Sequence, residues 1–172
     1  MQPARRAPLA VIGPSGTRRL FTKLANAFGH FLRDPGFAVE FSELGEGSRF
    51  NSAGLALHAC RTPHTANSLA YSVEVPGLRF GYTGDTGPSD AVADLLHGVE
   101  ELIAECSLPD DAAIPTHLSP SSLAALALRA QPGRLIATHC YPQLDRDALP
   151  SLLERANWRG PVTVAFDGLT VR

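Results

Sequence analysis

Three side chains in this sequence have the types and placing to hold a cation. His64 stands in Arg61-Thr-Pro-His-Thr, Asp85 in Gly81-Tyr-Thr-Gly-Asp-Thr-Gly87, and His139 in Leu135-Ile-Ala-Thr-His-Cys-Tyr-Pro142. Each follows an apolar run at a turn-like position, so each is predicted to lie just past a strand end, where a side chain is rigidly presented. Two imidazoles and a carboxylate suit a borderline-soft divalent ion such as Zn²⁺. His117, ahead of a helix, is open between orienting a ligand or substrate and a structural role. Glu105, ending an apolar strand, is open between supporting the site and satisfying a buried donor. His58 alternates within a strand and reads as structural, and His30 and His97 read as solvated.

The elements that must position these residues follow from periodicity. Leu9 to Ile12 reads as a buried strand ended by Gly13-Pro14. A helix then opens at Ser15-Gly16-Thr17, with Leu20, Phe21, Leu24, Ala27 and Phe28 on one face. Gly13-Pro-Ser-Gly16 has no following Lys-Ser/Thr and reads as a turn with a helix cap, not a phosphate loop. Four strands come next, over 37–44, 54–60, 68–75 and 78–82, the last two joined by a Pro76-Gly77 turn. After Asp85 helix and strand alternate. Helices are expected over 89–97, 120–130 and 145–158, the last capped by Asp145, and strands over 101–106, 134–138 and 161–166. Asp167-Gly168 is expected to be a type I′ hairpin turn leading into a strand at 169–171. A meander followed by alternating units implies a layered α/β fold with mixed sheets.

Composition narrows the function classes. The chain has 172 residues, 44% apolar and 19% charged, as a globular domain requires. Its net charge is −2, and its 14 Arg and single Lys are scattered, which argues against a concentrated nucleic-acid face. Cys60, Cys106 and Cys140 form no C-x-x-C pair and read as reduced thiols. No apolar run approaches the roughly 18 residues of a membrane span. There is no secretory h-region near Met1, so the expected location is the cytoplasm.

Together and in order, several segments resemble the metallo-β-lactamase superfamily, and its ribonuclease Z-like branch in particular. They are Leu9-Ala-Val-Ile-Gly-Pro-Ser-Gly16, His64-Thr-Ala-Asn-Ser-Leu-Ala-Tyr71, Gly81-Tyr-Thr-Gly-Asp-Thr86, Glu105-Cys-Ser-Leu-Pro109, Thr116-His-Leu-Ser-Pro120, Leu135-Ile-Ala-Thr-His139 and Val164-Ala-Phe-Asp-Gly168. The resemblance implies one domain over 1–172, an αββα four-layer sandwich with mixed sheets, incomplete at its N-terminus. It also implies two zinc ions, with His64 completing one site, His139 the other, and Asp85 bridging both. His117 and Glu105 would assist. The implied reaction is hydrolysis of a small anionic phosphodiester or an ester by a metal-bridging hydroxide.

Two departures qualify that expectation. The family's H-x-H-x-D-H motif is absent, and only eight residues precede Leu9, where the family places the motif upstream. The chain is thus expected to be an N-terminally truncated hydrolase, with weak or partial zinc occupancy and impaired activity. An open sheet edge and an uncovered apolar face would then favour self-association. Ribonuclease Z enzymes also insert a tRNA-gripping arm between the positions matching His64 and Asp85. Here those 20 residues hold two strands and a tight turn. The branch's His-Glu-Ala-Thr falls at Ala104-Glu-Cys-Ser107, keeping Glu105 and losing the His. A nucleic-acid partner is accordingly disfavoured. The competing readings are a metal-poor, non-catalytic binding module and a tRNA 3′-end endonuclease.

Overall fold

The structure is a computed structural model that describes residues 5–171. The chain divides into two compact units, Met1–Gly45 and Glu46–Arg172.

The first unit is a strand–helix–strand motif. Strands β1 (Leu9–Pro14) and β2 (Val39–Leu44) pair in parallel, from Leu9 beside Val39 to Pro14 beside Leu44. Helices α1 (Thr17–Phe28) and α2 (His30–Arg33) connect them. Gly16 starts α1 in a left-handed conformation (φ 95°), which glycine adopts without a Cβ penalty. Glu43 accepts a hydrogen bond from the Arg18 amide at 2.9 Å, and backbone bonds from Arg18 and Gly16 hold its carboxyl below the usual range. A protein carboxylate therefore satisfies the helix N-terminus that the 13–16 segment opens. Phe21 packs edge-on against Phe41 at 5.0 Å between ring centroids, and Ala25 is buried. The rest of the expected apolar face is not covered: Leu20, Leu24 and Phe28 are exposed, as is Phe31.

The second unit is built on a seven-stranded sheet in sequence order. Its strands are β3 (Arg49–Ser52), β4 (Leu55–Arg61), β5 (Leu69–Val75), β6 (Leu78–Tyr82), β7 (Glu101–Glu105), β8 (Arg134–Thr138) and β9 (Val162–Val164). β3 to β6 form an antiparallel meander, and β6 to β9 run parallel. Parallel neighbours need crossovers. These contain α3 (Asp90–Leu95), α4 (Pro120–Ala130) and α5 (Leu149–Arg155). The strand order never reverses, so right-handed crossovers lay all three helices on one face, where α4 contacts both α3 and α5. Leu96, Leu102, Leu118, Leu123, Leu135, Leu149 and Leu153 are fully buried between helices and sheet.

Several expectations need correction. β3 was not foreseen. It pairs with β4 across Ala53-Gly54, both at positive φ (45° and 83°), a two-residue turn that here lacks the usual Asn or Asp. Of the four expected strands, β2 pairs only with β1, and the other three join the large sheet. α5 starts at Leu149, not Asp145, because the Asp145 carboxylate instead accepts from the Asp147 and Ala148 amides and closes the preceding turn. It ends before Trp158, since Asn157 is left-handed (φ 74°). Asp167-Gly168 is no hairpin: only Gly168 has positive φ, the Leu169 amide closes a turn onto the Phe166 carbonyl, and 169–171 is not a strand. Among the described residues no helix is long and apolar enough to cross a membrane.

Candidate active site

Strands β4, β6, β7, β8 and β9 all point the same way, so their C-terminal ends share one edge of the sheet. His64 follows β4, Asp85 follows β6, Glu105 ends β7, and His139 follows β8. The topology thus gathers residues up to 75 positions apart in sequence, between His64 and His139.

The Asp85 loop is held from three sides. Thr62 donates its hydroxyl to the Asp85 carbonyl at 2.8 Å, the Gly87 amide reaches the Pro63 carbonyl, and the Thr86 amide donates to Glu105 Oε1 at 2.6 Å. A Cβ on Gly87 would fall 1.7 Å from the Pro115 carbonyl oxygen, so only glycine fits there. Gly84 combines φ 59° with a Cβ position 3.0 Å from the Leu69 oxygen. These contacts explain the Thr-Gly-Asp-Thr-Gly spelling: threonines tie the loop down and glycines let it approach.

The side chains converge on Asp85. His64 Nε2 lies 3.7 Å from Asp85 Oδ2, and His139 Nε2 lies 3.6 Å from Asp85 Oδ1. Both are too long for hydrogen bonds. They are slightly wider than the ~3.4 Å that separates two ligands of one tetrahedral zinc with bonds near 2.0–2.1 Å. Each carboxylate oxygen thus has its own imidazole. Among the described residues no three His, Cys, Asp or Glu side chains close around a single point. By their donor types two imidazoles and a carboxylate suit Zn²⁺, and His64, Asp85 and His139 are the residues that would contribute to holding it.

Neighbouring groups fix the imidazoles. His64 Nδ1 is 3.2 Å from the Thr116 carbonyl oxygen, to which only an Nδ1–H can donate, so Nε2 is the ring nitrogen that faces Asp85. His139 leaves β8 in the left-handed region, φ 57°, an uncommon conformation for a non-glycine residue. Its ring packs against Tyr141 at 5.1 Å. His117 lies between the two, its ring centroid 4.8 Å from that of His64 and 5.7 Å from that of His139.

His117 is joined to Glu105, which is only 1% exposed. Glu105 accepts from His117 Nδ1 at 2.9 Å, the Ser107 hydroxyl at 2.6 Å, and the Thr86 and Leu118 amides at 2.6 and 3.1 Å. A buried carboxylate is tolerated because four donors meet it. One side chain therefore ties the Asp85 loop to the His117 segment. Nδ1–H of His117 is committed to Glu105, which leaves Nε2 as its free ring atom.

Sequence reasoning selected all five of these residues, and the structure brings them together. It missed Thr62, Thr116 and Tyr141, which orient them. The only signal for Tyr141 is its place two residues past His139, before Pro142. Cys60, Cys106 and Cys140 are free thiols. Burial raises all three pKa values, that of Cys60 to about 11 with help from Glu46. His97 is exposed with Nδ1 3.1 Å from the Arg129 carbonyl oxygen, and His30 is exposed against Phe31.

A family model described as "Beta-lactamase superfamily domain" matches residues 2–140. A ribonuclease Z of Myxococcus xanthus is 26% identical, the match covering 97% of this chain and 71% of that protein. A ribonuclease Z of Mycobacterium tuberculosis (strain H37Rv) is also 26% identical, covering 94% of this chain and 65% of that protein. Among solved structures, the metallo-beta-lactamase fold protein YhfI from Bacillus subtilis superposes with a TM-score of 0.78 at 18% identity, over 94% of this chain and 64% of that one. Human tRNase Z, short form, gives 0.71 at 20% identity, over 96% and 66%. The chain therefore spans about two-thirds of the length of these relatives.

Proposed function

The chain belongs to the beta-lactamase superfamily, with the metallo-β-lactamase fold, and from that premise we propose that its site is part of a two-zinc hydrolytic centre acting on a small phosphodiester. The observation that carries this reading is the Asp85 carboxylate faced by one imidazole nitrogen at each oxygen, neither within hydrogen-bonding range. His64 and Asp85 would hold one ion, His139 and Asp85 the other. When bound, zinc lowers the pKa of a water and stabilises negative charge developing on the attacked group.

The chain's own residues supply the rest. Thr116 holds His64 in the tautomer that presents Nε2. Glu105 holds His117 by Nδ1, so His117 Nε2 is the atom placed to carry a proton toward a leaving oxygen. Thr62 and Glu105 keep the Asp85 loop in position, so the carboxylate needs little reorganisation when it binds.

Zinc titration with metal analysis tests this. Weak, saturable uptake is expected, because each ion has two protein donors. His139→Ala should remove one ion, and Asp85→Ala both. Hydrolysis of bis(p-nitrophenyl) phosphate should rise with zinc and fall at least a hundredfold in Asp85→Ala, the scale of losing a key electrostatic group. Absence of zinc uptake at millimolar metal would replace this reading with a non-catalytic binding module.

The relatives named ribonuclease Z support a second reading, tRNA 3′-end cleavage. Against it stand the scattered Arg residues and the tight turn at Pro76-Gly77, where Val75 pairs directly with Leu78. Salt-sensitive binding of a tRNA precursor, with cleavage at its 3′ end, would favour the second reading over a small substrate.

A further inference from the structure

On the helix-covered side of the large sheet, toward the rim remote from Asp85, stand four polar side chains that the metal-site reading does not use. Side chains two apart on a strand share a face, so His58 lies on the side of Cys60, and Ser72 and Glu74 on that of Ala70. Cys60 and Ala70 belong to the dry core with Val92 of α3. His58 pairs with Ser72 across β4 and β5, and Glu74 with Arg79 across β5 and β6. α3 ends at Leu95, and past its end these polar groups take the place of apolar ones. They line, with Ala56, a cavity of about 240 Å³. That is below the range of drug-sized sites and suits a small metabolite. A second cavity of about 600 Å³ shares Ala56 and Glu74 and follows the turns at 53–54 and 76–77, which gives a way in from solvent.

The pocket holds both signs of charge, and its geometry keeps them apart. Arg79 Nε donates to the Ser72 hydroxyl oxygen at 3.2 Å, and Nη2 to the Leu95 carbonyl oxygen at 3.3 Å. Ser72 is buried, so the guanidinium is fixed against the protein and drawn toward α3. Glu74 is the cross-strand partner of Arg79, yet no carboxylate among the described residues lies within ion-pairing range of that guanidinium. Glu100 takes only the Arg79 backbone amide. The Glu74 carboxylate and the His58 ring have no hydrogen-bond partner among the described residues. One small space therefore holds a guanidinium with spare donors, an uncommitted imidazole and an uncommitted carboxylate. An anion alone is opposed by Glu74, and a cation alone by Arg79. A small molecule that carries both charges satisfies both groups.

We propose that this pocket binds a free α-amino acid with a small side chain, its carboxylate on Arg79 and its ammonium on Glu74. The guanidinium fork matches the two oxygens of a carboxylate. The Ser72 oxygen accepts from Arg79 and keeps its own O–H to donate, and the His58 ring offers a further N–H. The pocket shares no residue with the His64, Asp85 and His139 set, so the inference stands apart from the hydrolase reading.

Titration of the full chain with L-alanine, followed by amide NMR, tests this. Propionate, which lacks the ammonium, and ethylamine, which lacks the carboxylate, serve as matched probes. Saturable shifts are expected at residues 56–58, 72–74, 79 and 95–96. L-Alanine should bind about tenfold or more tightly than either probe, the scale of one charge-assisted hydrogen bond. Glu74→Gln should remove that advantage and leave propionate no weaker. Arg79→Lys keeps the charge but loses the fork, and should weaken L-alanine and propionate alike by about tenfold. Glu74 is exposed, so its substitution leaves the fold intact, and unchanged spectra elsewhere confirm it for both variants. Propionate binding as tightly as L-alanine would make the pocket an anion site, and ethylamine binding as tightly would make it a cation site. Either result overturns the proposal, as do shifts centred elsewhere, the absence of saturable shifts, or an affinity for L-alanine indifferent to Glu74→Gln.

Discussion

Glu105 carries more of the site's architecture than any residue that would touch a metal. Its two oxygens serve the loop that bears Asp85, the imidazole of His117 and the amide of Leu118. Removing it strands the Thr86 and Leu118 amides in a dry interior and takes the partner from His117. Glu105→Ala is therefore expected to cost about 3–5 kcal/mol in urea denaturation, the range for breaking a buried hydrogen-bonded pair. Ser107→Ala removes one donor from the same carboxylate and should cost about 1 kcal/mol. A Glu105→Ala loss below that of Ser107→Ala would show that the carboxylate is not the organising group. His64, Asp85 and His139 were legible in the sequence because their types are chemically distinctive and they stand just past strand ends, whereas the pattern around His117 and Glu105 leaves a supporting and a structural role equally open. Thr62, Thr116 and Tyr141 were not, because orienting a neighbour leaves no mark on a residue's own local pattern.

At the scale of elements, the same contrast separates what could be read from what could not. Pro120–Ala130 and Arg134–Thr138 fold over the residues that periodicity assigns them, one marked by Pro in its first turn, the other by a short apolar run. β3 escaped because Arg-Phe-Asn-Ser is polar and its turn uses Ala53 in a left-handed conformation. The 167–168 hairpin failed because a strand partner is chosen by tertiary packing: β9 is satisfied in parallel beside β8. The isolated pairing of β1 with β2 carries its own consequence. A two-stranded sheet has little cooperative support, whereas β4 to β8 are each flanked on both sides. Amides of β1 and β2 should exchange at least a hundredfold faster than those of β7 and β8 in native-state hydrogen exchange. Equal protection in both sets would show that the first unit opens only with the second.

For the molecule as a whole, the exposed ring and leucine side chains of the first unit set the expected behaviour in solution. Leu20, Leu24 and Phe28 are spaced four residues apart and follow one side of α1, Phe31 lies in α2 beyond the break at Gly29, and the exposures of the four run from 41% to 74%. Exposed large apolar side chains grouped in this way favour association. Sedimentation velocity should show concentration-dependent self-association, reduced in the double variant Leu24→Glu/Phe28→Glu. A monodisperse monomer across the micromolar to millimolar range would contradict it.

The turn at Pro76-Gly77 connects two antiparallel strands on the edge of the sheet remote from His64, Asp85 and His139. Both its residues are solvent-exposed, and a Cβ on Gly77 would meet nothing. That makes it a natural splice point: a fluorescent reporter or an RNA-gripping appendage grafted there would sit on the far rim, adding a new capability while the rim that bears Asp85 keeps its shape.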